Sequence, residues 1–192
     1  MKAGTLLSAA DTGMIRGERV LFRNVSLSLA PGQAIVLRGA NGAGKTTLLR
    51  ILAGLTRAET GTVDRPAPFH WIAHRDGLKP HETPRTHLTL WARAWGCPVD
   101  GIETILDRMG LARPADVPAR HLSAGQRRRT ALARLQLQDR PLWLLDEPFT
   151  ALDRDGTALL TDMMTAHCAA GGGIVAAIHG ETGFNFDMQV EI

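Results

Sequence analysis

The chain has no tyrosine, three lysines (Lys2, Lys45 and Lys79) and two cysteines, Cys97 and Cys168, in 192 residues. The cysteines stand far apart, with neither a CxxC pair nor a Cys/His spacing that would hold a metal. They read as reduced thiols of a protein that stays in the cytosol. Long apolar runs are also missing. No stretch reaches the roughly 18 to 20 uninterrupted apolar residues that a membrane-spanning helix needs. The start, MKAGTLLSAADTG, has one Lys and a short apolar patch broken by Ser, Asp and Gly, unlike a secretory signal. Excess charge is small, at a formal +3. The basic residues are nearly all Arg and are scattered, apart from the run Arg127, Arg128 and Arg129, which excludes the continuous stripe of a nucleic-acid-binding protein. What remains is an ordinary globular composition, 44% hydrophobic and 21% charged, with enough apolar material for a core in a single domain spanning residues 1–192.

Short apolar runs alternate with helix-period segments, which is the pattern of an α/β domain. Val25–Leu29 alternates like a half-buried strand and Ala30-Pro31-Gly32 makes a turn. Gln33–Arg38, Trp71–Ala73, Leu142–Leu145 and Ile174–Ile178 are further strand candidates. Helices are predicted over Lys45–Leu55, Arg85–Trp95, Val99–Met109, Ser123–Gln138 and Asp153–Ala170. Strands toward both ends with helices between them predict a mainly parallel core sheet carrying a small α-helical lobe at approximately 80–138. Ile174–Ile178 is expected to be the final strand.

Gly39-Ala40-Asn41-Gly42-Ala43-Gly44-Lys45-Thr46-Thr47 matches G-x-x-x-x-G-K-[ST], directly after a predicted strand and at the opening of a predicted helix. Glycines let consecutive backbone N–H groups turn toward an anion, and the helix N-terminus adds its dipole. Lys45 would then reach the β- and γ-phosphates of ATP, and the hydroxyl of Thr46 would ligate Mg²⁺. Further on, Leu142-Trp143-Leu144-Leu145-Asp146-Glu147-Pro148 ends an apolar strand in two carboxylates. Asp146 is placed to hold Mg²⁺ through water. Glu147 is placed as general base for the attacking water, an effect worth roughly 100- to 10,000-fold in rate. A Gly-rich turn before a core helix, or a solvated strand exit, would explain either segment alone but not the two together.

Between these segments, Leu122-Ser123-Ala124-Gly125-Gln126 resembles the LSGGQ signature of ABC (ATP-binding cassette) ATPases, with Ala124 in place of the first Gly. Ala151-Leu152-Asp153 resembles the D-loop through which paired ATPase subunits touch. His179, after the apolar run Ile174–Ile178, resembles the switch histidine that contacts the γ-phosphate and orients water. The resemblance covers essentially the whole chain. It implies a P-loop NTPase core with a mainly parallel sheet, antiparallel N-terminal strands and an inserted helical lobe. It also implies a homodimer with nucleotide sandwiched between subunits, each signature (Ser123, Gly125, Gln126) serving the other subunit's ATP. The stretches Gly39–Leu49, Ala73–Lys79, Leu122–Leu135 and Pro141–Asp153 look like the ATP-binding subunits of the haem exporter of cytochrome c maturation. That likeness implies a peripheral protein on the cytoplasmic face of the bacterial inner membrane with CcmB- and CcmC-like integral-membrane partners. Hydrolysis there is linked to haem export or to release of a haem-loaded chaperone, and neither nucleic acid nor direct haem binding is expected. An importer or exporter ATPase for another substrate is the alternative. Chromosome-maintenance relatives need long coiled-coil arms and translation relatives need two cassettes, and a non-catalytic regulator would lack the hydrolytic set.

Two positions depart from the family pattern. Arg75 stands where most members carry a Gln that touches Mg²⁺; a guanidinium has donors only and cannot ligate a cation. The aromatic expected to stack on adenine is replaced by Ile15-Arg16, where Arg16 could stack its planar guanidinium instead or simply face solvent. His70, His74, His81 and His87 cluster in one region and are read as surface or coupling-region histidines. Trp91 and Trp95, at i and i+4, are read as lobe packing or as contact with a membrane partner. If Arg75 couples to the partner without ligating metal, Arg75→Gln will raise Mg²⁺ affinity and leave partner-stimulated turnover unchanged. Metal titration and turnover assays would read both, and lost coupling with unaltered metal binding would overturn it.

Overall fold

The computed structural model describes residues 4–192 and divides the chain into two compact units. The first comprises the segment up to Trp71, Arg140–Glu147 and Met163–Ile192. Its strands are β1 (Leu7–Arg16), β2 (Arg19–Leu29), β3 (Ala34–Arg38), β4 (Thr60–Asp64), β5 (Phe69–Ile72, whose last residue opens the other unit), β6 (Leu142–Asp146), β7 (Gly173–Ala177) and β8 (Met188–Glu191). They form two sheets. One is three-stranded in the order β2-β1-β4, both pairings antiparallel. The other is five-stranded in the order β5-β6-β7-β3-β8, with β6–β7, β7–β3 and β3–β8 parallel.

The interior strands show why the apolar runs are continuous. Every residue of β6 (LWLLD) and of β7 (GIVAA) is buried, as expected of parallel strands covered on both faces. One helix of the first unit, α1 (Lys45–Leu52), packs against β6 and β7 and buries Leu48, Leu49, Ile51 and Leu52. It starts from Gly44, whose φ of 117° is a left-handed conformation that favours glycine. A Cβ there would also press on Phe22 at 2.9 Å. The core continues through Leu7, Leu29, Ile35, Leu37, Leu142, Leu144 and Val175.

The second unit comprises Ile72–Asp139 and Pro148–Asp162. It holds α2 (Pro84–Ala94), α3 (Ile102–Arg108), α4 (Ala124–Ala133) and the first half of α5 (Arg154–Ala169). Both α2 and α4 begin with a capping box. Thr83 and Thr86 exchange side-chain and backbone bonds at α2, and Ser123 and Gln126 do so at α4. A short 3-10 turn (Arg134–Gln136) extends α4, so the helical stretch predicted to Gln138 tightens and ends early.

Antiparallel N-terminal strands were expected and are present, but three strands were given no position in advance. β1 bulges around Asp11, at φ 50°, which breaks its alternation. β4 and β8 are edge strands with little buried surface, and β8 lies beyond the expected final strand. The histidines also differ from expectation. His70, in β5, and His87, in α2, are each only 2% exposed, whereas His74 and His81 are exposed. Trp91 and Trp95 pack on each other with ring centroids 5.0 Å apart, His87 meets Trp91 edge-on, and the buried Arg134 guanidinium lies 4.8 Å above the Trp91 ring.

His87 Nδ1 donates to Glu82 Oε2 at 3.2 Å, while its Nε2 is buried without a hydrogen-bond partner. Burial holds this imidazole below its ordinary value of 6.5, outweighing the pull of Glu82. His87 therefore stays neutral in the folded chain while the unfolded chain takes up a proton. Its contribution is intact above pH 6.5 and is lost as pH falls below that value. Urea unfolding at pH 7.5 and 5.5 should show a larger acid-induced loss in the parent than in His87→Asn. In the first unit, Leu48→Ala, at a site with no exposure, should cost about 2–5 kcal/mol in the same measurement.

Candidate nucleotide-binding site

Parallel register brings the chemistry to one edge of the sheet. Asp146, the last residue of β6, pairs with Ala177, the last residue of β7, and β7 lies beside β3, whose end feeds the loop from Gly39 to Gly44. Groups at the carboxyl ends of neighbouring parallel strands converge on one crevice, the usual ligand site of open α/β sheets. Here those groups are the glycine loop, Asp146, Glu147 and His179.

The contacts within this crevice are specific. Lys45, only 6% exposed, donates from Nζ to the carbonyls of Gly39 and Ala40 at 2.8 and 3.0 Å. The Thr46 hydroxyl lies 3.0 Å from both Asp146 carboxylate oxygens, and Asp146 is buried. A hydroxyl and a buried carboxylate at this spacing are hard oxygen donors of the kind that suits Mg²⁺. The Glu147 N–H donates to the Ala177 carbonyl at 2.9 Å. Its φ of 48° is left-handed, a strained backbone for a residue other than glycine. His179 Nε2 lies 3.3 Å from Glu147 Oε1.

A cavity of about 190 Å³ is lined by Asn41, Gly42, Gly44, Lys45, Thr46, Thr47, Glu147 and His179, together with Arg16 and Leu21. A second, of about 450 Å³, is lined by Met14, Arg16, Leu21, Thr46, Thr47, Arg50 and Thr56. The two share Arg16, Leu21, Thr46 and Thr47. Sequence reasoning singled out Arg16 but missed Met14, Leu21, Arg50 and Thr56, which have no motif of their own. Asn41, Gly42 and Thr47 line the first cavity, while Gly39, Ala40 and Ala43 form the turn of the loop.

Arg75, Ser123, Gly125 and Gln126 belong to the helical unit and line neither cavity. Arg75 is exposed, on the turn after β5. Ser123 is exposed at the start of α4, its Oγ accepting from the Gln126 N–H at 3.1 Å. At Gly125 a Cβ would stand 3.0 Å from the Ala151 carbonyl, so the two segments pass each other closely and a side chain there would press on the Ala151 turn. Ala151 itself has a left-handed φ of 65°.

The ABC transporter family profile matches residues 22–150. The cytochrome c biogenesis ATP-binding export protein CcmA of Hyphomonas neptunium is 60% identical over 187 residues, covering 97% of this chain and 96% of its own. The protein of the same name from Paracoccus denitrificans is 45% identical, over 93% of this chain and 84% of its own. A solved ATP-binding subunit of an ABC transporter superposes with a TM-score of 0.81 at 26% identity, over 91% of this chain and 80% of that one. The chain thus belongs to the ABC transporter ATP-binding family and, within it, to the CcmA cytochrome c biogenesis ATP-binding export proteins.

Proposed function

We propose that this chain is the ATP-hydrolysing subunit of a haem-export complex in cytochrome c maturation, acting as one half of a homodimer that sandwiches two ATP molecules. The observation that carries the reading is the convergence of Lys45, Thr46, Glu147 and His179 on one cavity, with Asp146 behind Thr46, in a chain 60% identical to a named CcmA. Both units serve one nucleotide-binding domain in this reading.

Lys45, fixed over the loop by the Gly39 and Ala40 carbonyls, faces the β- and γ-phosphates, and the backbone N–H groups from Asn41 to Thr47 surround them. Thr46 and Asp146 would hold Mg²⁺, which offsets phosphate charge when bound. Glu147 Oε1 accepts the proton of the attacking water, and His179, at hydrogen-bond range from that oxygen, orients it. Arg16 lies at the mouth shared by both cavities, where its planar guanidinium can pack on the base. Ser123, Gly125 and Gln126 serve the partner subunit's nucleotide, and Arg75 works in coupling to the membrane subunits. Those subunits are CcmB- and CcmC-like, at the cytoplasmic face of the inner membrane. No helix among the described residues is long and apolar enough to cross a membrane, so in this reading attachment rests on those partners.

Glu147→Gln keeps the shape and removes the base. ATP binding should persist while turnover falls by roughly 100- to 10,000-fold. Bacteria carrying only this variant should lose holocytochrome c while haem stays trapped on its chaperone. Parental turnover would overturn the role of Glu147, and parental holocytochrome c alongside lost turnover would overturn the haem-export assignment.

A further inference from the structure

The run Arg127, Arg128 and Arg129 is not a charged surface stripe; each side chain is anchored differently. Arg127 donates to the Leu122 carbonyl at 2.6 Å, back along its own helix start. Arg129, 20% exposed at its side chain, pairs with Asp153 at 3.5 Å. Arg128 is buried, at 2% exposure, and its guanidinium joins two separate segments. Nε donates to the Pro148 carbonyl at 3.1 Å. Nη1 donates to the Ala73 carbonyl at 2.8 Å and lies 3.4 Å from that of His74 and 3.3 Å from Asp76 Oδ1.

A buried guanidinium is costly unless its charge and its N–H groups are matched. Here the partners come from the turn that carries Arg75 and from the first residue after the acid pair. Neither segment is regular secondary structure. Arg128 sits five residues beyond Ser123, about 7.5 Å along the axis of α4. A rigid helix that shifts at its Ser123 end therefore carries Arg128 with it, and with Arg128 both segments.

We propose that Arg128 is a positioning residue that fastens the Arg75 turn and the segment following Glu147 to the signature helix, so that the three move as one. The inference rests on the reading of this chain as an ATPase whose α4 N-terminus meets nucleotide. It adds a clamp that ties the start of α4 to the segment that follows Glu147. Only a planar, forked cation spans both segments. Lysine keeps the charge, but its donors share one nitrogen, which cannot stand at the positions of both Nε, facing Pro148, and Nη1, facing Ala73.

The test uses the full chain with Arg128→Lys, and Arg127→Lys as control. Arg128→Lys should bind Mg-ATP with parental affinity and hydrolyse it about 10- to 100-fold more slowly, the size of effect that misplaced groups produce. Hydrogen–deuterium exchange should quicken at residues 73–77 and 149–151 and stay parental at residues 39–47 and within α2 and α3. If Arg128→Lys does not fold, Asp76→Asn, which weakens only the loop side of the clamp, should show the same selective quickening at 73–77 with lowered turnover. The proposal is overturned if turnover and exchange are both parental. It is likewise overturned if exchange rises throughout the helical unit or ATP affinity falls in proportion to turnover, because Arg128 would then be a structural ion only. Should the parental chain not hydrolyse ATP even together with its membrane partners, the ATPase reading fails, and the exchange pattern alone decides the clamp.

Discussion

The parallel register of β6, β7 and β3 is the constraint on which the site depends. Pairing Asp146 with Ala177 sets the acid pair level with the end of β7, and pairing Leu37 with Ala177 sets the start of the glycine loop at the same height. A slip of one residue would turn every side chain of a strand to the opposite face. It would also break the bond from the Glu147 N–H to the Ala177 carbonyl. Complete burial of both central strands opposes such a slip, because each alternative register forces Asp146 or apolar side chains into mismatched surroundings.

The two units bury polar groups for different ends. In the first, Lys45 and Asp146 are buried beside the cavity, where each is matched by short contacts to the loop carbonyls or to Thr46. Their charge is concentrated at the cavity rather than spread through the core. In the helical unit the buried polar groups are Arg128, Arg134, His87 and Thr130, none of which lines either cavity. Burial lowers Arg134 to about 10, with repulsion from Arg128 adding to it, yet it remains a cation at neutral pH and stacks on Trp91. These groups lie within an aliphatic core that includes Leu88, Ile105, Leu106, Leu111, Leu132 and Leu135. Their hydrogen bonds fix relative orientation more than they add net stability.

Backbone strain falls at the functional turns. Glu147 and Ala151 both adopt left-handed conformations without being glycine, within five residues of each other. At Gly125 a Cβ would stand 3.0 Å from the Ala151 carbonyl, so a side chain there would require the Ala151 turn to give by a few tenths of an ångström. The segment from Glu147 to Asp153 is thus held from several sides, by Ala177 at its start, by Arg128 at Pro148 and by Arg129 at Asp153. A strained backbone of this kind persists only where its surroundings hold it in place.

By itself the sequence determined the fold class, the phosphate loop, the acid pair, the signature and the family. Each is local: the backbone shape of the loop and the capping box of α4 are written in adjacent residues, and the buried strands are continuous apolar runs. Tertiary structure decided what depends on a distant partner. β4 and β8 carry too little apolar pattern to stand out and exist because β1 and β3 offer them an edge. His70 and His87 look alike in sequence to the exposed His74 and His81, and only packing separates them. Arg128 is one of three consecutive arginines with nothing to distinguish it until the turn at Ala73–Asp76 and the carbonyl of Pro148 close around it, because the cost of burying a charge is set by which acceptors the fold brings within reach.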